Sequence, residues 1–507
     1  MRIEYICHAC LFVDSGDVQI VTDPWFKGSA YCGQWNIFPK PVNTEILDKA
    51  QVIALSHGHE DHFHEPSLRE LPRAAKVFYP YSWYGGTTEF LQELGFKDVV
   101  EAAAQKTYKL SPDTSLTYVV NSLDSIVVIE AEGKVLVNVN DALHSFPPKI
   151  QDLFITAIKE RWPKIDTVFC GFGGASYFPN AIHCPGKDDV EIGEAREQLF
   201  AHSFCRIVHG LAPEVAVPFA ADFALLQPEQ RWINDVRFPR ARLAEYFRQL
   251  YPEAAESVRI VAMYPGDVLA NNQLVPNSPY RSQFVEGGLK HLLEEQYRDE
   301  IKALTSAPQI GEEDARRLEG EIIANVNRRK DLYADQLGSI KFSIKVQDCP
   351  ISPCFNVSFE DARPQVTRSE HPTPDSLLVV RTSSRILRHS FASDWGGDAI
   401  TIGYGLDVDV FDPATIQSSL DVACVRLLTR QPSASHYWKQ EPLRMARHLI
   451  SSQTTRAWVT KAVLNPSGDY SDKKTNDLMR EWMFRSKCEV CRACDLPLLD
   501  DKFAAAL

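Results

Sequence analysis

Four apolar residues, Val52-Ile53-Ala54-Leu55, run directly into Ser56-His57-Gly58-His59-Glu60-Asp61-His62. A short apolar run ending in a polar turn reads as one strand of a covered sheet. The turn after such a strand can aim side chains to alternate sides of a cavity. His57 and His59 can then face one metal ion while Asp61 and His62 face a second. Neutral imidazole nitrogen and carboxylate oxygen suit zinc, iron or manganese, and neither ligand type alone chooses among them. Histidines scattered over a surface by chance would need no strand ahead of them, so the strand followed by HxHxDH points to a metal site.

The rest of the chain must supply a scaffold that presents loops at one end of a buried sheet. At 507 residues it exceeds the size at which a single core keeps growing, and two or three domains are expected. Apolar and charged fractions of 44% and 24% are those of an ordinary globular protein. A net charge of −13 argues against nucleic acid or an anionic membrane as partner. No apolar run approaches bilayer length. The first residues, Met1-Arg2-Ile3-Glu4-Tyr5-Ile6, begin like a strand and lack the apolar stretch and cleavage site of a secretory signal, so a cytoplasmic location is expected. Twelve cysteines are too sparse for a disulfide framework and read as thiols or metal ligands.

Residues 1–275 alternate short apolar strands with helical segments, as a layered α/β domain does. Strands at 10–13 and 18–21 flank Asp14-Ser15-Gly16-Asp17, a hairpin turn, and further strands are expected at 115–120, 126–130, 135–139, 166–169 and 214–218. A helix is expected from Glu191 to Gly210. Residues 276–338 form a helical connector, broken near Ser306-Ala307-Pro308. Residues 339–507 mix strands (342–346, 376–380, 399–403) with helices and form a second α/β domain.

Two strands ahead of the histidine turn stands Thr22-Asp23-Pro24-Trp25, and ahead of that His8-Ala9-Cys10. Together with the HxHxDH turn this set resembles the metallo-β-lactamase superfamily over roughly the first half of the chain. The resemblance implies a four-layer αββα sandwich with one or two transition metals at its strand ends. It implies His57 and His59 on a first metal, Asp61 and His62 on a second, and Asp141, which follows a strand in the expected order, bridging them. Without the resemblance Asp141 reads equally well as a turn residue or helix cap. Two histidines usual in the superfamily are missing. In Asn121-Ser122-Leu123-Asp124-Ser125 only Asn121 or Asp124 could serve, and after the last strand only Asp222 could. Such a shell suits firmly held dizinc chemistry poorly and leaves room for an oxygen-rich site better matched to iron.

A narrower set, Gly173-Gly174-Ala175-Ser176 with Phe178-Pro179, then Arg206-Ile207-Val208 and Pro218-Phe219-Ala220, is similar to the CMP-N-acetylneuraminic acid hydroxylase family. The similarity continues in order through Glu370-His371-Pro372, Ile386-Leu387-Arg388-His389, Trp395 and Asp412-Pro413. That family carries an N-terminal Rieske iron–sulfur domain marked by Cys-x-His and Cys-x-x-His pairs. This chain shows neither pair, so it reads as the hydroxylase without that built-in donor.

Three other constellations need weighing. Gly171, Gly173 and Gly174 follow a strand and could offer backbone N–H groups to an anion; with Ser176 they are candidate substrate contacts, against the simpler reading of a tight bend. His202, Cys205 and His209 share one face of the 191–210 helix and read as packed. Cys488, Cys491 and Cys494 have iron–sulfur or zinc spacing but need a fourth ligand, for which Cys349 or Cys354 is a candidate; a metal-free tail is the equal alternative. His8 is either a proton donor or substrate ligand, or it orients Asp23 or the metal turn from behind.

The function expected from the sequence is an iron-favouring, metal-dependent oxygenase acting on a polar small molecule such as a sugar or nucleotide derivative. His8, Asp61 and Asp141 are its catalytic candidates. Electrons would come from a separate electron-transfer protein or the cysteine cluster. The rival is a zinc hydrolase of a phosphoester, lactone or amide. A degenerate metal-containing binding protein is the third reading.

Overall fold

The computed structural model describes residues 1–81, 85–121, 124–286, 288–304, 308–431 and 439–451. Two large sheets lie face to face. The first has eight strands in the spatial order 273–275, 268–270, 2–7, 10–14, 19–22, 52–54, 76–80 and 99–102. The second has seven, in the order 259–260, 215–219, 167–171, 134–140, 124–131, 114–121 and 107–109. Strand side chains point alternately to opposite faces, and the sequence supplies an apolar residue on both. Leu11, Val13, Ile20 and Val52 of the first sheet meet Leu116, Tyr118, Val127 and Ile129 of the second in a common core. The intervening residues face outward. Ile126 and Val128 pack on the helices Pro148–Arg161, Asp189–Leu211 and Leu243–Leu250. Phe12, Val21 and Ile53 pack on the other side, in a core continuous with residues 315–428.

The Asp14–Asp17 turn is a hairpin as expected, with Asp14 opposite Gln19 and Gly16 at φ +91°, a left-handed conformation that glycine adopts without strain. The expected helix runs Asp189–Leu211; the Asp188 side chain accepts from the backbone N–H groups of Val190 and Glu191 at its start. The connector is helical at Arg281–Glu286, Leu289–Gln296, Arg298–Leu304 and Glu312–Arg329.

Beyond it a six-stranded sheet has the order 182–183, 407–410, 378–382, 342–346, 354–360 and 363–369. Its edge strand, Ile182–His183, comes from the first half of the chain and pairs with Val408 and Asp409. The two halves therefore share a sheet as well as a core. One expected strand is corrected: Ala399–Gly403 lies in the short helix Asp398–Thr401 and the turn after it, closed by Thr401 N–H donating to Gly397 O at 3.0 Å. Ala399 and Ile400 are buried, and a run this short cannot be told from a buried helical turn by periodicity.

Candidate metal centre

The first sheet runs its strands 19–22, 52–54 and 76–80 in parallel, so their carboxyl ends open on one side, where open α/β sheets bind ligands. Each carries a piece of the site there. Asp23 follows the first strand and the Ser56–His62 turn follows the second. His8 follows the strand 2–7 of the same sheet, and Asp141 follows the strand 134–140 of the facing sheet. His8, Asp23 and Asn140 all sit at positive φ (47°, 39° and 42°), strained conformations for residues with a Cβ that concentrate where a structure is built around a site.

These turns bring three overlapping groups of ligand atoms within 4.8 Å of one another: His57, His59 and Asp124; His57, His62 and Asp141; His8, Asp61 and His62. His57 Nε2 lies 2.8 Å from His59 Nδ1. His62 Nε2 lies 3.4 Å from both Asp61 Oδ2 and Asp141 Oδ2, and this buried nitrogen has no hydrogen-bond partner. Burial holds the His57 imidazole well below the usual histidine range, with like charge from His62 and His59 adding to it. Burial acts the same way on His62, but Asp61, Asp141 and Asp23 around it outweigh that and raise it. Asp61 and Asp141 are likewise pushed up by burial and pulled below the carboxylate range by His62. Asp124 has less compensation, and burial raises it to about 6. A buried, self-compensating group of imidazoles and carboxylates with an open nitrogen at its centre is a donor set that fits a cation.

A supporting layer fixes the donors. Asp23 accepts from the Ser56 N–H and hydroxyl, both at 2.7 Å, and lies 3.0 Å from His62 Nδ1, which aims Nε2 into the cluster. Ser56 Oγ also touches His57 Nδ1 at 2.9 Å. His8 Nε2 is 2.9 Å from Asp61 Oδ2, while the Tyr31 hydroxyl donates to Asp61 Oδ1. His8 is enclosed by Trp25, Trp35 and Phe223, and it reaches the metal turn rather than Asp23.

The other sequence candidates lie elsewhere or have other partners. Asp222, read as a metal ligand, is corrected: its carboxylate is taken by the buried Arg240 guanidinium and the Tyr5 hydroxyl, outside the cluster. A Cβ on Gly173 would press on Ala221 at 2.9 Å, and one on Gly174 would overlap the Phe200 ring, so close packing already requires both glycines. Ser176 Oγ accepts from the Phe178 N–H in a local turn. His209 stacks on Tyr251 and Cys205 is buried in the helix-facing core. Cys488, Cys491 and Cys494 lie outside the described residues.

Two residues were not read as site residues in the sequence. Tyr31 gave no signal there, because it reaches Asp61 across 30 positions. Trp395, from the C-terminal half, lines a cavity of about 300 Å³ that opens on His57, His59 and Asp124. Asp398 and Glu60 also lie at this seam, and burial raises both, Glu60 to about 7.

Residues 2–144 match the model of the Beta-lactamase superfamily domain. The sandwich is a metallo-β-lactamase fold. Over 257 residues, 46% of this chain and 48% of the relative, the chain is 26% identical to the inactive cytidine monophosphate-N-acetylneuraminic acid hydroxylase of Homo sapiens. It is 26% identical over 254 residues to the corresponding hydroxylase of Mus musculus, covering 41% of that protein. The matched region thus spans less than half the length of these relatives. Among solved structures, CmlA, a diiron β-hydroxylase from Streptomyces venezuelae, aligns at 17% identity over 54% of each chain with a TM-score of 0.37. An isothiocyanate hydrolase from Delia radicum gut bacteria aligns at 14% identity over 53% of this chain and 98% of its own, with a TM-score of 0.36. Among the described residues no helix is long and apolar enough to cross a membrane.

Proposed function

We propose that this metallo-β-lactamase fold is a metal-dependent oxygenase of a small molecule, with iron as the favoured metal. His57, His59 and Asp124 would hold one ion and Asp61 and His62 a second, with Asp141 within reach of His57 and His62 and so of both positions. The observation that carries this reading is Asp124. Where the superfamily usually offers an imidazole, this chain closes the His57–His59 group with a carboxylate, and carboxylate-rich donor sets shift preference from zinc toward iron and manganese. Bound there, such a metal would supply Lewis acidity and, as iron, access to dioxygen and one-electron chemistry. The chain's own part is positional. Asp23 and Ser56 lock the His57 and His62 rings, and Tyr31 and His8 each hold one oxygen of Asp61, leaving a further lone pair on each oxygen free. Reducing equivalents would come from a separate electron-transfer protein or from a cluster at Cys488, Cys491 and Cys494.

The hydrolase reading stays in play because the same donors accept zinc. Protein produced in medium containing both metals should carry more iron than zinc by elemental analysis, and Asp124→His should invert that ratio. Iron with reductant-dependent oxygen uptake supports the oxygenase; zinc in the wild type together with anaerobic cleavage of a phosphoester or lactone would replace it with the hydrolase.

A further inference from the structure

The lining of the cavity beside the cluster combines polar groups, His59 and Asp124 among them, with four aromatic rings, those of Phe63, Tyr79, Phe90 and Trp395. Phe63 and Phe90 meet edge to face with ring centroids 5.6 Å apart, and the Tyr79 hydroxyl is turned onto Thr88 Oγ1 at 2.6 Å, so the tyrosine hydroxyl of the lining is already paired with the protein. Among the described lining residues there is no lysine or arginine. Phosphate and sugar-acid groups are recognised by such cations. Among the described lining residues a nucleotide phosphate beyond reach of the metals would meet apolar surfaces and the Asp124 carboxylate.

Volume points the same way. An apolar cavity of roughly 150 Å³ already takes benzene, and about 300 Å³ stands at the lower limit of ordinary ligand pockets. It suits one ring with a short side chain and is small for a base, a ribose and a sugar together.

We infer that this cavity is the substrate pocket and that it takes a compact molecule with an uncharged aromatic ring, carried on a small polar head directed at His59 and Asp124. The inference rests on the metal-dependent reading for the chemistry at His59 and Asp124 but not for the ring-binding itself. Trp395 makes the C-terminal half a wall of the pocket, so selectivity for the ring is set jointly by both halves of the chain.

The test uses the full-length protein as purified, with 4-fluorobenzyl alcohol as probe and its ¹⁹F signal as readout, in competition with cytidine 5′-monophosphate. Saturable binding is expected, unaffected by a tenfold excess of the nucleotide. Phe90→Ala, which removes a wall, and Thr87→Trp, which fills the cavity from the first position of the helix Thr87–Glu93, should each weaken it at least tenfold. Metal content should stay at the wild-type level in both. Thr87 is half-buried at a helix start, so this second variant keeps the test sharp should Phe90→Ala unfold. Non-saturable binding, equal binding in wild type and Thr87→Trp, or displacement by the nucleotide would overturn the inference. A protein that holds metal but not the ring refutes the pocket alone; one that binds the ring but holds no metal refutes the proposed function alone.

Discussion

The two halves of this molecule handle buried polarity in opposite ways. In the C-terminal sheet, a group of buried hydroxyls and amides answer one another. Ser343 Oγ bonds Asn356 Oδ1 at 2.6 Å and Ser376 Oγ at 2.7 Å, and Asp348 caps Ser384 through both its N–H and its hydroxyl. At the mouth of the sandwich, imidazoles and carboxylates are crowded together, and His62 Nε2 stands 3.4 Å from each of two acids without a hydrogen bond to either. Leaving a buried polar atom unmatched costs roughly 1–3 kcal/mol, so a fold that does so at the centre of six candidate ligands is organised around something that completes them. Among the described residues the C-terminal half supplies Trp395 as a wall of the cavity beside them.

The contrast breaks first at Asp141. Asp141→Ala should reduce turnover at least a hundredfold with the circular dichroism spectrum unchanged, because the carboxylate stands 3.4 Å from His62 Nε2 at the centre of the site and follows its strand rather than belonging to it. A fully active variant would return Asp141 to a turn residue.

Gly174 sharpens the boundary between site and scaffold. If the glycine loop only packs, Gly174→Ala should lower stability by about 1–3 kcal/mol, since the new methyl overlaps Phe200 in a close-packed interior. Thermal unfolding measures this, and metal content should not change.

These two residues also mark what a sequence can carry. Asp141 was legible only through the superfamily resemblance, which expects an acid after that strand, whereas the HxHxDH turn could be read directly, from a local strand followed by a local turn. The alternation of apolar residues likewise gave the sheets. What could not be read were relations across the chain. Asp222 looked like a ligand by position until Arg240 and Tyr5, 18 and 217 residues away, were seen to claim it. Tyr31 and Trp395 reach the site only through tertiary packing. The Ala399–Gly403 run failed for the opposite reason, since a five-residue run with Ala399 and Ile400 buried carries no period long enough to separate strand from helix.

The seam between the halves offers a milder test. His183 Nδ1 lies 2.7 Å from Asp189 and Nε2 3.2 Å from Asp407, joining the start of a sandwich helix to the C-terminal sheet. Hydrogen bonds to these two acids raise it to about 9. A raised histidine gives stability that is complete below its unfolded value near 6.5 and lost as pH climbs through the folded one. The melting temperature of the wild type should therefore fall between pH 7 and 9.5 relative to His183→Gln, with a difference of roughly 1–2 kcal/mol at pH 6. Parallel curves for the two proteins would remove the triad from the account.

The most direct test is the metal itself. Elemental analysis of the purified protein should find one or two transition-metal ions per chain, and His57→Ala and His59→Ala should each lose most of that metal while remaining folded. Metal content unchanged in both variants, or a wild type that binds none after incubation with iron or zinc, would contradict the central claim that the cluster at the mouth of the sandwich is built to hold a cation.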